Sequence, residues 1–185
     1  FPGRPSSRLW GANLDSISYE ELKGLFTSFQ REALHLEMRD SYGTAVEIPH
    51  LAKWEAGEPD DLDWLQPWFD TVRAATQAGK VFRRARIVSE PISDYQKWVL
   101  KDSHLFVEAG EDIRWVPRSQ VSTVALPGND FWLFDDQVAV FLIFAATGLV
   151  VDRQRTSGRT AIELCRAAFD AVWKLSIPDS EYQTD

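Results

Sequence analysis

Cysteine is almost absent from this chain of 185 residues. The only thiol belongs to Cys165, so no disulfide can form within the chain. A zinc cluster built from several cysteines and a CxxC redox motif are excluded for the same reason. A single thiol is typical of proteins in a reducing compartment, and we therefore expect a cytoplasmic location.

Long apolar runs are also missing. The longest one, from Val138 to Ala146, is about half of the roughly 20 residues that a membrane-spanning helix requires. The chain begins with FPGRPSSR, which has neither an initiator methionine nor the apolar core of a signal peptide. We interpret this start as a cloning remnant or a trimmed terminus, and we expect no membrane partner.

Basic residues are outnumbered by acidic ones, 20 to 28, which gives a formal net charge of −8. A surface of this sign repels the phosphates of nucleic acid over long distances. The charge balance therefore predicts no direct contact with nucleic acid.

The familiar catalytic and metal-binding motifs are not found. The sequence contains no GxSxG, Walker loop, GxGxxG or SxxK. Its three histidines, His35, His50 and His104, lie far apart and form no HxxxH or HExxH pair. We expect neither a metal ion nor a cofactor.

Apolar and aromatic residues are plentiful, at 44% and 12% of the chain, and eight of them are tryptophan. This composition is typical of a folded protein, and the length suits one domain with a sizeable core. We predict a single globular domain over residues 18–178, preceded by a terminal segment, 1–17, and followed by a tail, 179–185.

Local patterns predict alternating helices and strands. Capping-box spacing marks the start of a helix at Ser18 and Glu21, and the same spacing suggests that Asp63 and Thr160 cap two later helices. Alternating apolar residues predict strands beginning at Leu34 and over VFRRARIV, residues 81–88. The fold class is therefore α+β, with a single central mixed sheet, an antiparallel meander and helices packed on it.

The stretch DFWLFDD, residues 130–136, predicts a hairpin between strands at 131–134 and 138–144. Asp135 and Asp136 suit the turn because aspartate tolerates a left-handed backbone and accepts hydrogen bonds from nearby amides. A catalytic alternative remains, in which Asp135 acts with Asp130, or Asp136 acts with a distant partner.

The only dense basic run, at residues 80–86, predicts an anion site. Arg84 and Arg86 share one face of their strand, and the SEP that follows opens a helix whose free amides favour an anion. The predicted ligand-binding set is Arg84, Arg86, Ser89, Glu90, Arg114 and Arg118. Alternatively, these arginines pair with the acids Glu55, Glu58, Asp60, Asp61 and Asp63, as charged surfaces commonly do.

A weaker catalytic hypothesis starts from His35 and Glu37, which are two residues apart and so share a strand face. The catalytic candidates are then His35, Glu37, Asp40 and Asp135. This arrangement would suit a small hydrolase or a phosphodiesterase-like enzyme.

Several sequence blocks carry a family resemblance. They are LFTSFQREALHLEMRDSY, WLQPWFDTV, AGKVFRRARIVSEPISDYQKW, AGEDIRWVPR and DFWLFDD. In these blocks the chain resembles the family known as domain of unknown function 6879, over most of residues 20–175. The resemblance implies a cytoplasmic actinobacterial protein whose gene lies near helix-turn-helix regulators. The element order is also similar to half of a phospholipase D-type domain, although the HxK dyad of that superfamily is missing.

Three functions follow as hypotheses. The first is a non-enzymatic binding or regulatory module that recognises an anionic small molecule or a helix-turn-helix transcription regulator. The second is the small enzyme built on His35 and carboxylates. The third is a partner of a transcription regulator that binds no small ligand.

Overall fold

The structure is a computed structural model that describes residues 13–184. Its helices are α1 (Tyr19–Ser28), α2 (Ile48–Glu55), α3 (Gln66–Gln77), α4 (Asp94–Ala109) and α5 (Arg159–Leu175). Its strands are β1 (Asp15–Ser16), β2 (Glu32–Glu37), β3 (Val81–Val88), β4 (Glu111–Pro117), β5 (Phe131–Phe134), β6 (Val138–Phe144), β7 (Val150–Thr156) and β8 (Ile177–Pro178). No helix over these residues is long and apolar enough to cross a membrane.

All eight strands form one mixed sheet in the order β1-β7-β6-β5-β2-β3-β4-β8. The three central strands β2, β3 and β4 are parallel, and every other neighbouring pair is antiparallel. The meander β5-β6-β7 continues the sheet beyond β2. The predicted fold class is confirmed.

The sheet is covered on both faces. One face, which we call the α5 face, packs Leu34, Leu36 and Ile87 against α5. The opposite face carries α1, α3 and α4, and we call it the three-helix face; Phe82 and Trp132 belong to its core. Because side chains alternate along a strand, the polar residues of β2 and β3 that lie between these apolar ones point to the three-helix face.

The helix starts agree only in part with the predicted caps. At α1 the capping box is present: the Ser18 hydroxyl accepts from the Glu21 amide at 3.2 Å, and the Glu21 carboxylate accepts from the Ser18 amide at 2.8 Å. The other two predictions are wrong. Asp63 begins a 3-10 turn ahead of α3, and α5 starts after Gly158 rather than Thr160.

The predicted hairpin is present, and its acids form the turn. Asp135 and Asp136 both adopt a left-handed backbone, with φ of 54° and 59°. The Asp135 carboxylate accepts from the amides of Gln30, Arg31 and Glu32 at 2.7 to 3.0 Å. These three amides outweigh the effect of burial and hold the pKa of Asp135 below its usual range. Asp135 therefore joins the turn to the start of β2.

Contacts of the fold extend beyond residues 18–178 at both ends. β1 pairs with β7 ahead of residue 18, and Tyr182 stacks on Trp115 with ring centroids 5.1 Å apart. Tyr182 is buried, so the segment after residue 178 belongs to the core. Most of the predicted terminal segment, residues 1–12, lies outside the described residues.

Candidate functional site

Five ionisable side chains form a buried cluster on the three-helix face. His35 and Glu37 come from β2, Arg84 and Arg86 from β3, and Glu111 from β4. Each of these residues is at most 9% exposed. We call this set the ionic centre. The parallel register brings its members together, because Arg84 lies beside His35 and Arg86 lies beside Glu37.

Arg84 is fully occupied by two carboxylates. Its Nε donates to Glu111 at 2.9 Å, its Nη1 to Glu37 at 2.6 Å and its Nη2 to Glu111 at 3.3 Å. The guanidinium carbon also lies within 6 Å of the ring centroids of Trp68 and Trp132. Burial alone would lower the pKa of Arg84, but the two carboxylates outweigh it and raise the pKa. Each of the three guanidinium nitrogens of Arg84 therefore already has a carboxylate partner.

Glu37 links the two arginines. Its Oε1 accepts from Arg84, and its Oε2 contacts Arg86. Burial would raise the pKa of Glu37, but the charges of Arg86 and Arg84, together with a hydrogen bond from His35, hold it far below the usual range. Glu37 is therefore ionised at neutral pH and is a weak base.

Arg86 differs from Arg84 in having a donor that nothing satisfies. It contacts Glu37 through Nη1, whereas its Nε is buried without a hydrogen-bond partner among the described residues. The residue is 6% exposed, and its guanidinium carbon lies 5.3 Å from the Trp115 ring centroid. A buried donor left unpaired costs about 1–3 kcal/mol.

His35 is held on both ring nitrogens and on one ring face. Its Nδ1 lies 2.8 Å from the carbonyl oxygen of Phe131, which can only accept, so Nδ1 carries a hydrogen. Its Nε2 lies 3.1 Å from Glu37. The imidazole stacks on Trp132 with centroids 4.1 Å apart and planes within 3°. The protein thus uses both nitrogens that acid–base catalysis would need.

Tyr42 and Asp130 form a second buried pair beside the ionic centre. The Tyr42 hydroxyl donates to Asp130, whose other oxygen accepts from the amide of Met38 at 3.0 Å. Burial raises the pKa of Asp130, and the bond from Tyr42 offsets this only in part. Burial and the nearby charge of Glu37 also raise the pKa of Tyr42.

Tyr95 packs beside Tyr42 and is bonded to the segment that contains α2. The Tyr95 hydroxyl donates to Glu47 at 2.7 Å, and its ring centroid lies 5.6 Å from that of Tyr42. Burial raises the pKa of Tyr95, and so does the negative charge of Glu47, whereas the positive charge of Arg86 lowers it.

The six predicted ligand-binding residues do not form one site. Arg84 and Arg86 lie in the ionic centre, but Arg114 lies on the α5 face with its guanidinium 4.3 Å from the Trp173 ring centroid. At the carboxyl edge of the sheet, Arg118 donates to the Ser89 hydroxyl at 3.0 Å.

The last member of the predicted set, Glu90, has a separate partner. It accepts from the Tyr182 hydroxyl at 3.0 Å. Within the described residues, only Arg86 among the six combines deep burial with an unpaired donor.

The weak catalytic candidates are likewise separated. Asp40 accepts from the amide and hydroxyl of Ser89, both at 2.7 Å, while Asp135 belongs to the hairpin turn. Asp136 accepts from Arg166 at 2.7 Å. Only His35 and Glu37 meet each other.

The alternative in which the basic run pairs with the acids after α2 is wrong about the partners. Asp60 accepts from His50 at 2.6 Å and from Lys53 at 3.4 Å, whereas Arg84 and Arg86 pair with residues of the sheet. Over the described residues, no group of His, Cys, Asp or Glu is arranged to hold a metal ion.

Two surface depressions lie away from Arg86. One, of about 440 Å³, lies between the end of α4 and β8; the other, of about 740 Å³, lies along α5. Glu111 reaches the first, but neither is lined by Arg84 or Arg86.

Comparison with known proteins identifies the family. A family model described as "Domain of unknown function (DUF6879)" matches residues 20–184. The chain belongs to this family. The resemblance seen in the sequence blocks is therefore confirmed. No curated protein matches the chain.

One solved structure similar to this DUF6879 chain is described as "Structure of TrmBL2, an archaeal chromatin protein, shows a novel mode of DNA binding". The two are 11% identical with a TM-score of 0.49, and the match covers 89% of this chain and 53% of the TrmBL2 chain. The DUF6879 chain therefore spans about half the length of that protein.

This comparison corrects one expectation. The net charge predicted no direct contact with nucleic acid, and the similarity to a protein described as binding DNA contradicts that exclusion. At this identity and TM-score the likeness does not assign DNA binding to the DUF6879 chain.

Sequence reasoning did not find Glu111, Tyr42 or Tyr95. Glu111 directly follows the glycine that ends α4, and only the β3–β4 register shows that it reaches Arg84. Tyr42 gave no periodic signal because it lies in a loop, and the helical spacing of Tyr95 indicated only that it belongs to the buried side of α4.

Proposed function

We propose that this DUF6879 chain is a non-enzymatic binding module that recognises the anionic group of a small ligand through Arg86. The observation that carries the proposal is the buried Nε of Arg86, which has no partner among the described residues. An arginine in this state offers a directed donor that a carboxylate or phosphate can satisfy.

The position of Arg86 supports this proposal. It lies near the carboxyl end of β3, beside the last residue of β2. In open sheets with parallel strands, ligands bind beyond the carboxyl ends of the strands. Arg84 is a poorer candidate, since each of its three nitrogens already bonds to Glu37 or Glu111.

The environment of Arg86 supports binding over catalysis. Glu37 is held ionised by two arginines, and His35 is occupied at both nitrogens. A general base needs a free lone pair within reach of the substrate proton. The predicted enzyme built on His35 and carboxylates is therefore the weaker hypothesis. The helix-turn-helix partner and the cytoplasmic location remain predictions from the sequence.

A thermal-shift screen tests the proposal. The probes are inorganic phosphate, succinate and adenosine monophosphate, applied to the wild type, Arg86→Lys and Arg83→Lys. Arg83 is the matched control: its Nε likewise has no hydrogen-bond partner among the described residues, but it lies three residues earlier in β3, on the α5 face, and its side chain is 38% exposed. Lysine keeps the charge but lacks the Nε donor.

We expect at least one probe to raise the melting temperature of the wild type and of Arg83→Lys, but not that of Arg86→Lys. The proposal would be wrong if no probe stabilised the wild type. It would also be wrong if Arg86→Lys responded as fully as the wild type.

A further inference from the structure

The two surface depressions differ in how their carboxylates are paired. In the depression along α5, the acids already have cationic partners from the same helix. Arg166 contacts Asp136 and Asp170, and the neighbouring Arg159 contacts Glu163. The other depression, of about 440 Å³, is lined by four carboxylates and by neither lysine nor arginine. We call it the α4–β8 depression, because it lies between the end of α4 and β8.

Two of the four carboxylates in the α4–β8 depression have no cationic partner. Glu111 and Asp112 each contact an arginine that lies outside it. Asp179, in contrast, accepts from the neutral indole Nε1 of Trp115 at 2.7 Å, and Glu108 is exposed to solvent. Neither of these two acids forms an ion pair among the described residues. The depression therefore presents two uncompensated negative charges to solvent.

The remaining lining of the depression is largely apolar. Val107 from the last turn of α4 is 42% exposed, and Ile113 of β4 and Pro178 of β8 complete the apolar part. Apolar surface beside free carboxylates suits a group that has an aliphatic stem and a cationic head. Lysine and arginine side chains have this form, since they lay their stems along apolar surface and keep the charged head at a polar edge.

We propose that the α4–β8 depression binds a lysine or arginine side chain presented by a basic segment of a protein partner. The stem would lie on Val107, Ile113 and Pro178, and the head would meet Glu108 and Asp179. This inference goes beyond the proposed function, because it concerns a separate site and a ligand of the opposite charge.

Two observations favour a protein segment over a free amine. The depression is open at the surface, so a small amine would remain partly in water, whereas a polypeptide carries neighbouring residues that cover the bound side chain. The net charge of −8 also attracts a basic segment over long distances.

Titration with a matched series of peptides, followed through the amide NMR signals of the protein, tests this inference. Each probe is an acetylated and amidated pentapeptide in which alanines flank one central residue. Lysine at the centre supplies both stem and charge, norleucine keeps the stem without the charge, and diaminopropionate keeps the charge on a short stem. Cadaverine, a diamine without a peptide backbone, represents a free amine.

The variant Glu108→Lys reverses one of the two uncompensated charges. Glu55→Lys is the matched control, because it changes the net charge equally at another exposed glutamate in the last turn of a helix, α2. Circular dichroism checks that both variants fold. If Glu108→Lys does not fold, Glu108→Gln and Glu55→Gln replace the pair.

We expect the lysine peptide to shift the amide signals of Val107, Glu108 and Ser180 in the wild type. The norleucine and diaminopropionate peptides should bind about tenfold more weakly, because each lacks one half of the contact. Glu108→Lys should also bind the lysine peptide about tenfold more weakly, since like charges then face each other, whereas Glu55→Lys should match the wild type.

The inference would be overturned if the lysine peptide left these signals unchanged. Equal affinities for the three peptides, or equal affinities of Glu108→Lys and Glu55→Lys for the lysine peptide, would overturn it as well. Cadaverine bound as tightly as the lysine peptide would make this a site for free amines and would contradict the protein partner. The anion screen with Arg86→Lys is a separate measurement, so failure of the proposed function is distinguishable from failure here.

Discussion

At the residue scale, the ionic centre separates two arginines that the sequence presents as equivalent. Arg84 and Arg86 are two residues apart on one strand face, yet only Arg84 has a carboxylate on each side. The difference arises from the β3–β4 register. Glu111 lies on β4 two residues before the register partner of Arg84 and reaches it diagonally, whereas Arg86 lies beside Trp115. Identical side chains on one face can therefore have different roles.

Glu37 is the residue whose loss should be most costly in this centre. Removing one partner of a buried ion pair leaves the other charge uncompensated, at a cost of about 3–5 kcal/mol. We expect Glu37→Gln to lower the free energy of unfolding by about 3 kcal/mol or more, as urea denaturation at pH 7 would measure.

Glu163→Gln is the control for this prediction. Glu163 pairs with Arg159 across one turn of α5, and both side chains are largely exposed. Exposed pairs contribute little. Losses of equal size in the two variants would contradict the buried, paired state of Glu37.

The dependence of this stability on pH follows from the same ion pairs. Because the pKa of Glu37 is lower in the folded state than in the unfolded state, its stabilisation is complete above the ordinary glutamate pKa of about 4.3. It is lost as the pH falls further below that value. Glu37→Gln should therefore lose less stability than the wild type between about pH 5 and pH 2.

How much of the centre the sequence predicts depends on distance along the chain. The shared faces of His35 with Glu37 and of Arg84 with Arg86 follow from strand alternation alone. The pairing of Arg84 with Glu37 and Glu111 does not, since these residues are 47 and 27 positions away. It requires the order and register of β2, β3 and β4.

At the element scale, the β5–β6 turn illustrates a pattern that the sequence does reveal. Two consecutive aspartates between strands predict a turn, because aspartate tolerates a left-handed backbone. The sequence did not reveal the long-range hydrogen bonds of this turn, in which the Asp135 carboxylate accepts from the amides just before and at the start of β2.

Substitutions in this turn should affect stability and no ligand binding. Asp135→Asn should cost about 1–3 kcal/mol, because it weakens hydrogen bonds that a charged acceptor makes to three amides. Asp136→Asn should cost less, since Asp136 bonds only to side chains at a partly exposed site. Chemical denaturation of the two variants measures the order, and the reverse order would contradict this role of Asp135.

The tip of the β6–β7 hairpin packs so closely on residue 43 that both contact positions require glycine. Gly43 and Gly148 approach so closely that the amide of Gly43 donates to the carbonyl of Gly148 at 3.1 Å. A Cβ on Gly43 would collide with the Thr147 carbonyl, and one on Gly148 would lie 2.5 Å from the Gly43 nitrogen. This contact fixes the loop that carries Tyr42.

Alanine at either glycine should therefore destabilise the protein. We expect Gly43→Ala to lower the melting temperature, because backbone atoms cannot move aside as a flexible side chain can. Gly24→Ala is the control: it lies within α1 with open space around it, and alanine should stabilise the helix by about 0.5–1 kcal/mol. A tolerated Gly43→Ala would show that the hairpin tip is not held against residue 43.

At the scale of the whole molecule, the fold class was predictable because most elements carry their own signal. Alternation defined β3 over residues 81–88, and the paired aspartates located the turn between β5 and β6. The strand order was not predictable, since β5 inserts beside β2 through contacts about 100 residues apart in the chain. The buried site at the middle of the sheet depends on that order.

The net charge shows the limit of whole-molecule properties. A value of −8 predicted no direct contact with nucleic acid, an exclusion that net charge alone does not support. Net charge describes the average surface, whereas binding depends on the groups at one site. For the DUF6879 chain the group that we propose for binding is a single buried guanidinium, that of Arg86.

The most direct test of this account is the NMR signal of the Arg86 Nε–H group during titration with the tightest-binding anion from the screen. Arg86→Lys assigns the signal. We predict that it shifts progressively, while the Nε–H signal of Arg84, already bonded to Glu111, stays in place. An Arg86 signal that does not move at saturating ligand would contradict the central claim.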